Sequence, residues 1–335
     1  MNEKVKAKVD LFIENKEKIE KCFTFSDCMI NIAASLVYTN VDKEVDVEEL
    51  KACKKMIEKT TGVFSGFQST SMPVIASKMA ISNNPQQYIQ DLKKVYDIIS
   101  KGMWSDNGYL IQAASSIIEA GRVFETEELA VRYKDLYKKM NKEHPMITGS
   151  DDVAFAMLMV LTNKDNDSII GEMEECYKYL RSQLKLKVGA NEIQGVSEVL
   201  TLSDENVKDK CDKVINLYEA FLNQGLKYGN EYTEFSTLGT LINVDLNYRE
   251  LVSEISEVEK LLKNTKGFGN WTINNKLRLM FAAILVGDVY GAIDDYDASV
   301  RAASNSAINS AVAAVVAEEV ALTICMMTCI STINN

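Results

Sequence analysis

The sequence repeats itself with a period of forty residues. Four segments read TGSDDVAFAMLMVLT, VGANEIQGVSEVLTL, YGNEYTEFSTLGTLI and FGNWTINNKLRLMFA. Their glycines are Gly149, Gly189, Gly229 and Gly269. Two looser copies precede them, FQSTSMPVIASKMAIS and WSDNGYLIQAASSII. Internal repetition at this period is typical of arrays of helical hairpins that stack side by side.

A charged, amphipathic stretch stands before each copy. In residues 172–184 the apolar side chains recur at spacings of three and four, which predicts a helix with one buried face. The copy that follows is apolar around most of its girth, as in a buried helix. Only three prolines occur among 335 residues, so long helices meet few interruptions. Each unit is therefore predicted to be an amphipathic outer helix, a short turn and a buried inner helix.

The turn inside each unit carries its own prediction. The periodic glycine is expected to end the outer helix in the left-handed conformation, which glycine adopts without the steric penalty that a Cβ brings. Side-chain oxygens just after it are expected to cap the inner helix. The predicted caps are Ser150 or Asp151, Asn191, Asn230 and Asn270.

The fold class that follows is all-α, an array of about seven hairpins forming an α-solenoid or an α/α toroid. Residues 1–45 are predicted as an irregular first hairpin, 46–288 as six repeats, and 289–335 as helices that cap the last repeat. Length alone would suggest two domains, but stacked repeats favour a single domain over residues 1–335.

The charge balance and the cysteines bear on the binding partners and the cellular location of the protein. The net charge is −11, which disfavours nucleic acid and anionic membranes, because both attract clustered Lys and Arg. The N-terminus has no secretory signal pattern, and seven scattered cysteines suit reduced thiols in the cytoplasm. A single histidine, no CxxC pair and no phosphate-loop motif leave no cofactor and no metal ion predicted.

The apolar stretch at residues 311–333 holds Glu318 and Glu319 near its middle. Acidic residues at a bilayer centre are costly, so the stretch is predicted as a buried core helix rather than a membrane span. A carboxylate that points into apolar surroundings needs a partner or a proton, with Arg278 or Arg301 as the expected partner. These two glutamates are candidate site residues on that ground.

The turns between outer and inner helices supply the other candidates for a ligand- or partner-binding face, in which carboxylates alternate with aromatic rings. They are Trp104, Asp106, Asp151, Asp152, Glu192, Glu231, Glu234 and Trp271. Such an edge suits a sugar or a cationic ligand, and two carboxylates at the right separation suit hydrolysis of a glycosidic bond. The favoured interpretation is simpler: the acids cap the inner helices and the rings seal the stack.

The segments TGSDDVAFAMLMVLT and KGFGNWTINNKLRLMFAAILVGD, with their surrounding hairpins, resemble an uncharacterised Firmicutes family known as a domain of unknown function. The resemblance spans residues 4–288 and implies a cytoplasmic bacterial protein, with no active-site residue to carry over. The leading hypothesis is a binding or interaction module for a protein, a peptide or a small signal. The alternatives are an α/α-toroid enzyme that acts on a carbohydrate through paired carboxylates, and a structural homo-oligomer. Whether the chain is an enzyme stays open, with a non-catalytic role favoured.

Overall fold

The computed structural model describes residues 1–24, 26, 28–61, 71–102, 108–162, 164–229, 232–244, 246–270 and 272–291. The secondary structure of these residues is helical throughout, which confirms the all-α prediction. The α-helices, numbered in chain order, are α1 (Glu3–Cys22), α2 (Cys28–Thr39), α3 (Val47–Thr61), α4 (Met72–Ile81), α5 (Pro85–Ile99), α6 (Gly108–Glu119), α7 (Thr126–Glu143), α8 (Asp152–Leu161), α9 (Asn166–Leu184), α10 (Ala190–Leu200), α11 (Val207–Asn223), α12 (Tyr232–Ser236), α13 (Tyr248–Lys263) and α14 (Asn275–Gly291). Short 3-10 helices at Val123–Glu125 and Thr237–Leu241 precede α7 and extend α12.

The helices fall into two compact units. The N-unit comprises residues 10–134, and the C-unit comprises residues 1–9 together with 135–291. In the N-unit, α4 packs against both α2 and α3, and α5 packs against α3 and α6. In the C-unit, the outer helices contact one another in the order α9, α11, α13, and the inner helices in the order α8, α10, α12, α14. Contacts of this kind are expected between successive hairpins, while the solenoid, the toroid and the single-domain organisation stay predictions.

Outer and inner helices differ as predicted. On α9 the buried residues are Ile169, Met173, Cys176, Leu180 and Leu184, one stripe along a helix whose other residues are half-buried or exposed. Every residue of α8 from 152 to 160 is buried, and so is every residue of α14 from 277 to 286. Burial of apolar surface at about 25 cal/mol per Å² is the main source of stability here, and both kinds of helix contribute to it.

The predicted role of the periodic glycines is wrong. None of the four adopts a positive φ, whereas Gly102, Gly121, Gly225 and Gly267 do. Gly225 follows α11 as a left-handed C-cap, and the next amide, that of Leu226, donates to Phe221 O at 2.9 Å. Helix α11 therefore ends several residues before the periodic glycine Gly229, which lies in the turn that follows the helix.

Two of the predicted caps of the inner helices are also corrected. Helix α10 begins after Gly189 rather than Asn191. Helix α14 begins after Asn274, whose Oδ1 accepts the amide of Leu277 at 2.9 Å, and not at Asn270. Asp151 does precede α8, but its side chain makes no capping hydrogen bond. Asn230 lies outside the described residues.

Candidate functional site

Four of the predicted turn residues are described, and each stands at the start of an inner helix. Asp151 and Glu192 are partly exposed, whereas Asp152 and Glu234 are buried. Asp152 Oδ2 accepts the amide of Gly149 at 2.6 Å. Burial raises the pKa of Asp151 above its ordinary value of 3.8, because a low-dielectric site disfavours the charged form. Trp104, Asp106, Glu231, Trp271, Glu318 and Glu319 lie outside the described residues.

Three of the four periodic glycines make room for acidic side chains, whereas a Cβ at Gly269 would meet only the backbone oxygen of Lys263, at 3.9 Å. A Cβ at Gly149 would overlap the carboxylate of Asp151, and a Cβ at Gly189 would overlap that of Glu192. At Gly229 it would overlap the side chain of Glu234. Each glycine and the acid that follows it form one packing pair at the beginning of an inner helix, where a carboxylate also suits the positive helix end.

A polar network missed by the sequence analysis lies inside the C-unit. Gln194 on α10 is fully buried, and its Nε2 donates to Glu198 Oε1 at 3.0 Å. The same nitrogen lies 3.4 Å from Asp152 Oδ1 and 3.4 Å from Thr148 Oγ1. Asp152 and Glu198 have exposed fractions of 0%. One amide thus links the buried acids of α8 and α10, and no solvent reaches either carboxylate.

A concave feature of the C-unit is a cleft of about 560 Å³, named here the turn cleft. Its walls come from the turn after α11, the last part of α13, and the start of α14 with the loop before it. The lining residues are Gly225, Leu226, Lys227, Glu259, Lys263, Asn270, Asn274, Asn275, Arg278 and Leu279. Only two of them, Leu226 and Leu279, have apolar side chains, so the cleft is built for a polar occupant.

Arg278 holds one wall of the turn cleft in place. Its side chain is 1% exposed, and its Nε donates to Glu259 Oε1 at 2.8 Å. The two terminal nitrogens donate to Ile273 O at 2.7 Å, Phe268 O at 3.2 Å and Asn270 Oδ1 at 2.8 Å. Hydrogen bonds to a charged donor are about twice as strong as neutral ones. The guanidinium therefore ties the loop before α14 to α13.

The predicted ion pair of Arg278 with Glu318 or Glu319 stays a prediction, because both glutamates lie outside the described residues. Within the described part of the chain, no group of three or more His, Cys, Asp or Glu side chains is arranged to hold a metal ion. In the same part, no helix combines the length and the apolar character that crossing a membrane requires.

Comparison with known protein families shows which family the chain belongs to. The family model described as "Protein of unknown function (DUF4003)" matches residues 15–320. The chain belongs to this family. No curated protein and no solved structure matches it. The resemblance to a family of unknown function is thereby confirmed, and its Firmicutes origin stays a prediction.

The DUF4003 match includes every residue that lines the turn cleft, as well as the network around Gln194. The family description names no activity. The function of this DUF4003 protein is therefore argued from the chemistry of its own side chains.

Proposed function

We propose that this protein is a non-catalytic binding module, and that its ligand is a small polar molecule held in the turn cleft. The observation that supports the proposal is the cleft itself: three separate segments of the C-unit converge on it with polar side chains. Its volume of about 560 Å³ falls within the roughly 300–1,000 Å³ of small-molecule sites. The buried hydrogen bonds of Arg278 hold the wall in one arrangement, which lowers the entropy lost on binding.

The lining favours binding over chemistry. Glu259 is the one carboxylate among the described lining residues, and Arg278 already engages it. Among the described lining residues there is no His, Cys, Ser, Thr or Tyr, so these residues do not place a general base beside a hydroxyl or thiol nucleophile. Acid–base hydrolysis of a sugar needs two carboxylates on either side of the substrate, and this set offers one.

The two alternative functions, an enzyme that acts on a carbohydrate and a structural homo-oligomer, have less support. Asp152 and Glu198 approach the same Gln194 nitrogen, so they are close enough for paired acid–base work, but both are fully buried. A homo-oligomer needs a contiguous apolar surface. Met146 is 94% exposed and Leu186 is 93% exposed, yet single exposed apolar side chains are ordinary on monomers.

The test is a thermal-shift panel of neutral sugars, polyamines, carboxylates and phosphate compounds. A ligand that binds only the folded state raises the melting temperature by mass action. The cleft is blocked in Asn275→Trp, because Asn275 is exposed and lines it. Thr272→Trp, exposed and outside the lining, is the matched control.

Support for the proposal would be a compound that stabilises the wild type and Thr272→Trp but not Asn275→Trp. The proposal is overturned when no compound class stabilises the wild type, or when the blocked variant responds as strongly as the control. Turnover of a sugar by the wild type, retained in Asn275→Trp, would overturn it as well.

A further inference from the structure

The turn cleft carries a positive charge in a chain of net charge −11. Its charged lining residues are Lys227, Lys263 and Arg278 against Glu259. Arg278 and Glu259 form an ion pair at 2.8 Å, so the two lysines set the field in the cleft. In a concave site such charges act together on a ligand.

Both lysines are available to a ligand. Lys227 and Lys263 are exposed, and neither has an acidic partner within 4.0 Å among the described residues. Some other lysines of the C-unit are paired, such as Lys187 with Glu219 at 3.7 Å and Lys208 with Asp212 at 2.5 Å. The cleft therefore brings together two exposed lysines that have no acidic partner among the described residues.

The asparagines of the cleft add hydrogen-bond donors. Asn270 Oδ1 accepts from Arg278 at 2.8 Å, and Asn274 Oδ1 accepts the amide of Leu277 at 2.9 Å. In each residue the oxygen already accepts one hydrogen bond from the protein, and the Nδ2 group keeps two hydrogens to donate. Two ammonium groups and the amide NH2 groups of three asparagines thus line the cleft, which suits a ligand rich in hydrogen-bond acceptors.

We infer that the turn cleft binds a small molecule that bears a phosphate or diphosphate group, an inference that rests on the proposed function. Phosphate oxygens accept hydrogen bonds from many directions, and lysine binds phosphate as a point charge. A carboxylate is matched best by the two-pronged fork of an arginine. The arginine of the cleft has its donors engaged by Glu259, Asn270 and two backbone carbonyls.

Isothermal titration calorimetry of the full chain with inorganic diphosphate at low ionic strength tests the inference. Arms with orthophosphate, citrate and a neutral disaccharide separate phosphate chemistry from negative charge and from general polarity. Lys227→Gln and Lys263→Gln each remove one charge. Lys260→Gln and Lys266→Gln are the matched controls, because both lysines are exposed, lie close in sequence to Lys263, and do not line the cleft.

The expected result is binding of diphosphate that is stronger than that of citrate and absent for the disaccharide. Each cleft variant should weaken it by about tenfold, the equivalent of one charge-assisted hydrogen bond, while both controls stay within about twofold of the wild type. Added salt should weaken binding further. Unchanged melting temperatures of the four variants would exclude loss of fold as the cause.

Equal losses in the cleft and control variants would overturn the inference, since that result reports only net charge. Preference for citrate would overturn it too, as would no binding of either phosphate compound. A neutral or cationic compound that stabilises the wild type but not Asn275→Trp would leave the proposed function standing and this inference refuted. The absence of any compound sensitive to Asn275→Trp would refute the proposed function itself.

Discussion

The Nε of Arg278 donates to Glu259 Oε1 at 2.8 Å across the space between α14 and α13. The arginine is almost fully buried, and its partner is 15% exposed. A buried ion pair adds little net stability compared with apolar residues of the same size, but removal of one member leaves the other charge uncompensated. This contact is therefore a sensitive point in the wall of the turn cleft.

Arg278→Met should lower the free energy of unfolding by about 3–5 kcal/mol. The substitution leaves Glu259 without its guanidinium and strips a donor from the carbonyls of Phe268 and Ile273. Urea denaturation measures the change. Arg249→Met, at an exposed arginine on α13, is the control and should stay within about 0.5 kcal/mol of the wild type. A loss at Arg278 no larger than that at Arg249 would contradict the structural role given to the buried arginine.

Gly229→Ala should destabilise the protein by about 1–3 kcal/mol, because its Cβ would overlap the side chain of Glu234. Truncation of that side chain in Gly229→Ala/Glu234→Ala opens the space again. The double variant should therefore be less destabilised than the sum of the two single variants. Strict additivity in the urea melts would rule out the overlap. Gly171→Ala, which meets no atom within 4 Å inside α9, is the control and should stabilise by about 0.5–1 kcal/mol.

The helices and their two kinds of burial were predictable from the sequence, because hydrophobic spacing depends only on local order. The role of the periodic glycine was not predictable, because glycine is favoured both where φ is positive and where another group packs closely against the backbone. The spacing of the glycines does not distinguish these two roles. An acid two residues after Gly149, three after Gly189 and five after Gly229 was the signal that could have shown it.

A second periodic signal marks the starts of the outer helices. Asp165, Asn206 and Asn247 precede α9, α11 and α13, and each side chain accepts the amide three residues on at 3.0 Å. Asx residues at this position are the usual caps of helices, so the pattern was readable from the sequence. The turn cleft was not, because it forms only when the segment from Gly225 to Lys227 meets α13 and the start of α14 in space.

Gln194→Met should destabilise the protein by about 1–3 kcal/mol, because it removes the buried donor that faces Glu198 and Asp152. Methionine fills similar space without a hydrogen-bond donor. Glu198→Gln in the same background replaces the buried carboxyl group with a neutral amide that carries its own donor, so it should restore part of the loss. Urea melts of the three variants measure this. If the double variant is no more stable than Gln194→Met alone, the amide does not act by holding the two carboxylates.

Asp151 and Asp165 should give opposite pH dependences. Burial raises the pKa of Asp151 from 3.8 in the folded state. The folded state then binds more protons than the unfolded state, so this residue lowers stability as pH rises from 3.8 through its folded pKa. Hydrogen bonds from the Ser168 hydroxyl and amide lower the pKa of Asp165. That residue stabilises the fold above 3.8, and its contribution is lost as pH falls through its lowered folded pKa.

The two asparagine variants separate these effects, since each is a neutral isostere and Asn also caps helices well. Relative to the wild type, Asp151→Asn should melt at a higher temperature at pH 7, and the gain should vanish below about pH 3.8, where aspartate is protonated in both states. Asp165→Asn should melt lower at pH 7 and approach the wild type as pH falls toward 2.5. Melting curves of the wild type and both variants, recorded at intervals between pH 2.5 and 7, measure the two differences. Differences of the same sign, or curves that stay parallel over the whole range, would contradict the burial of Asp151 and the capping role of Asp165 as the source of the shifts.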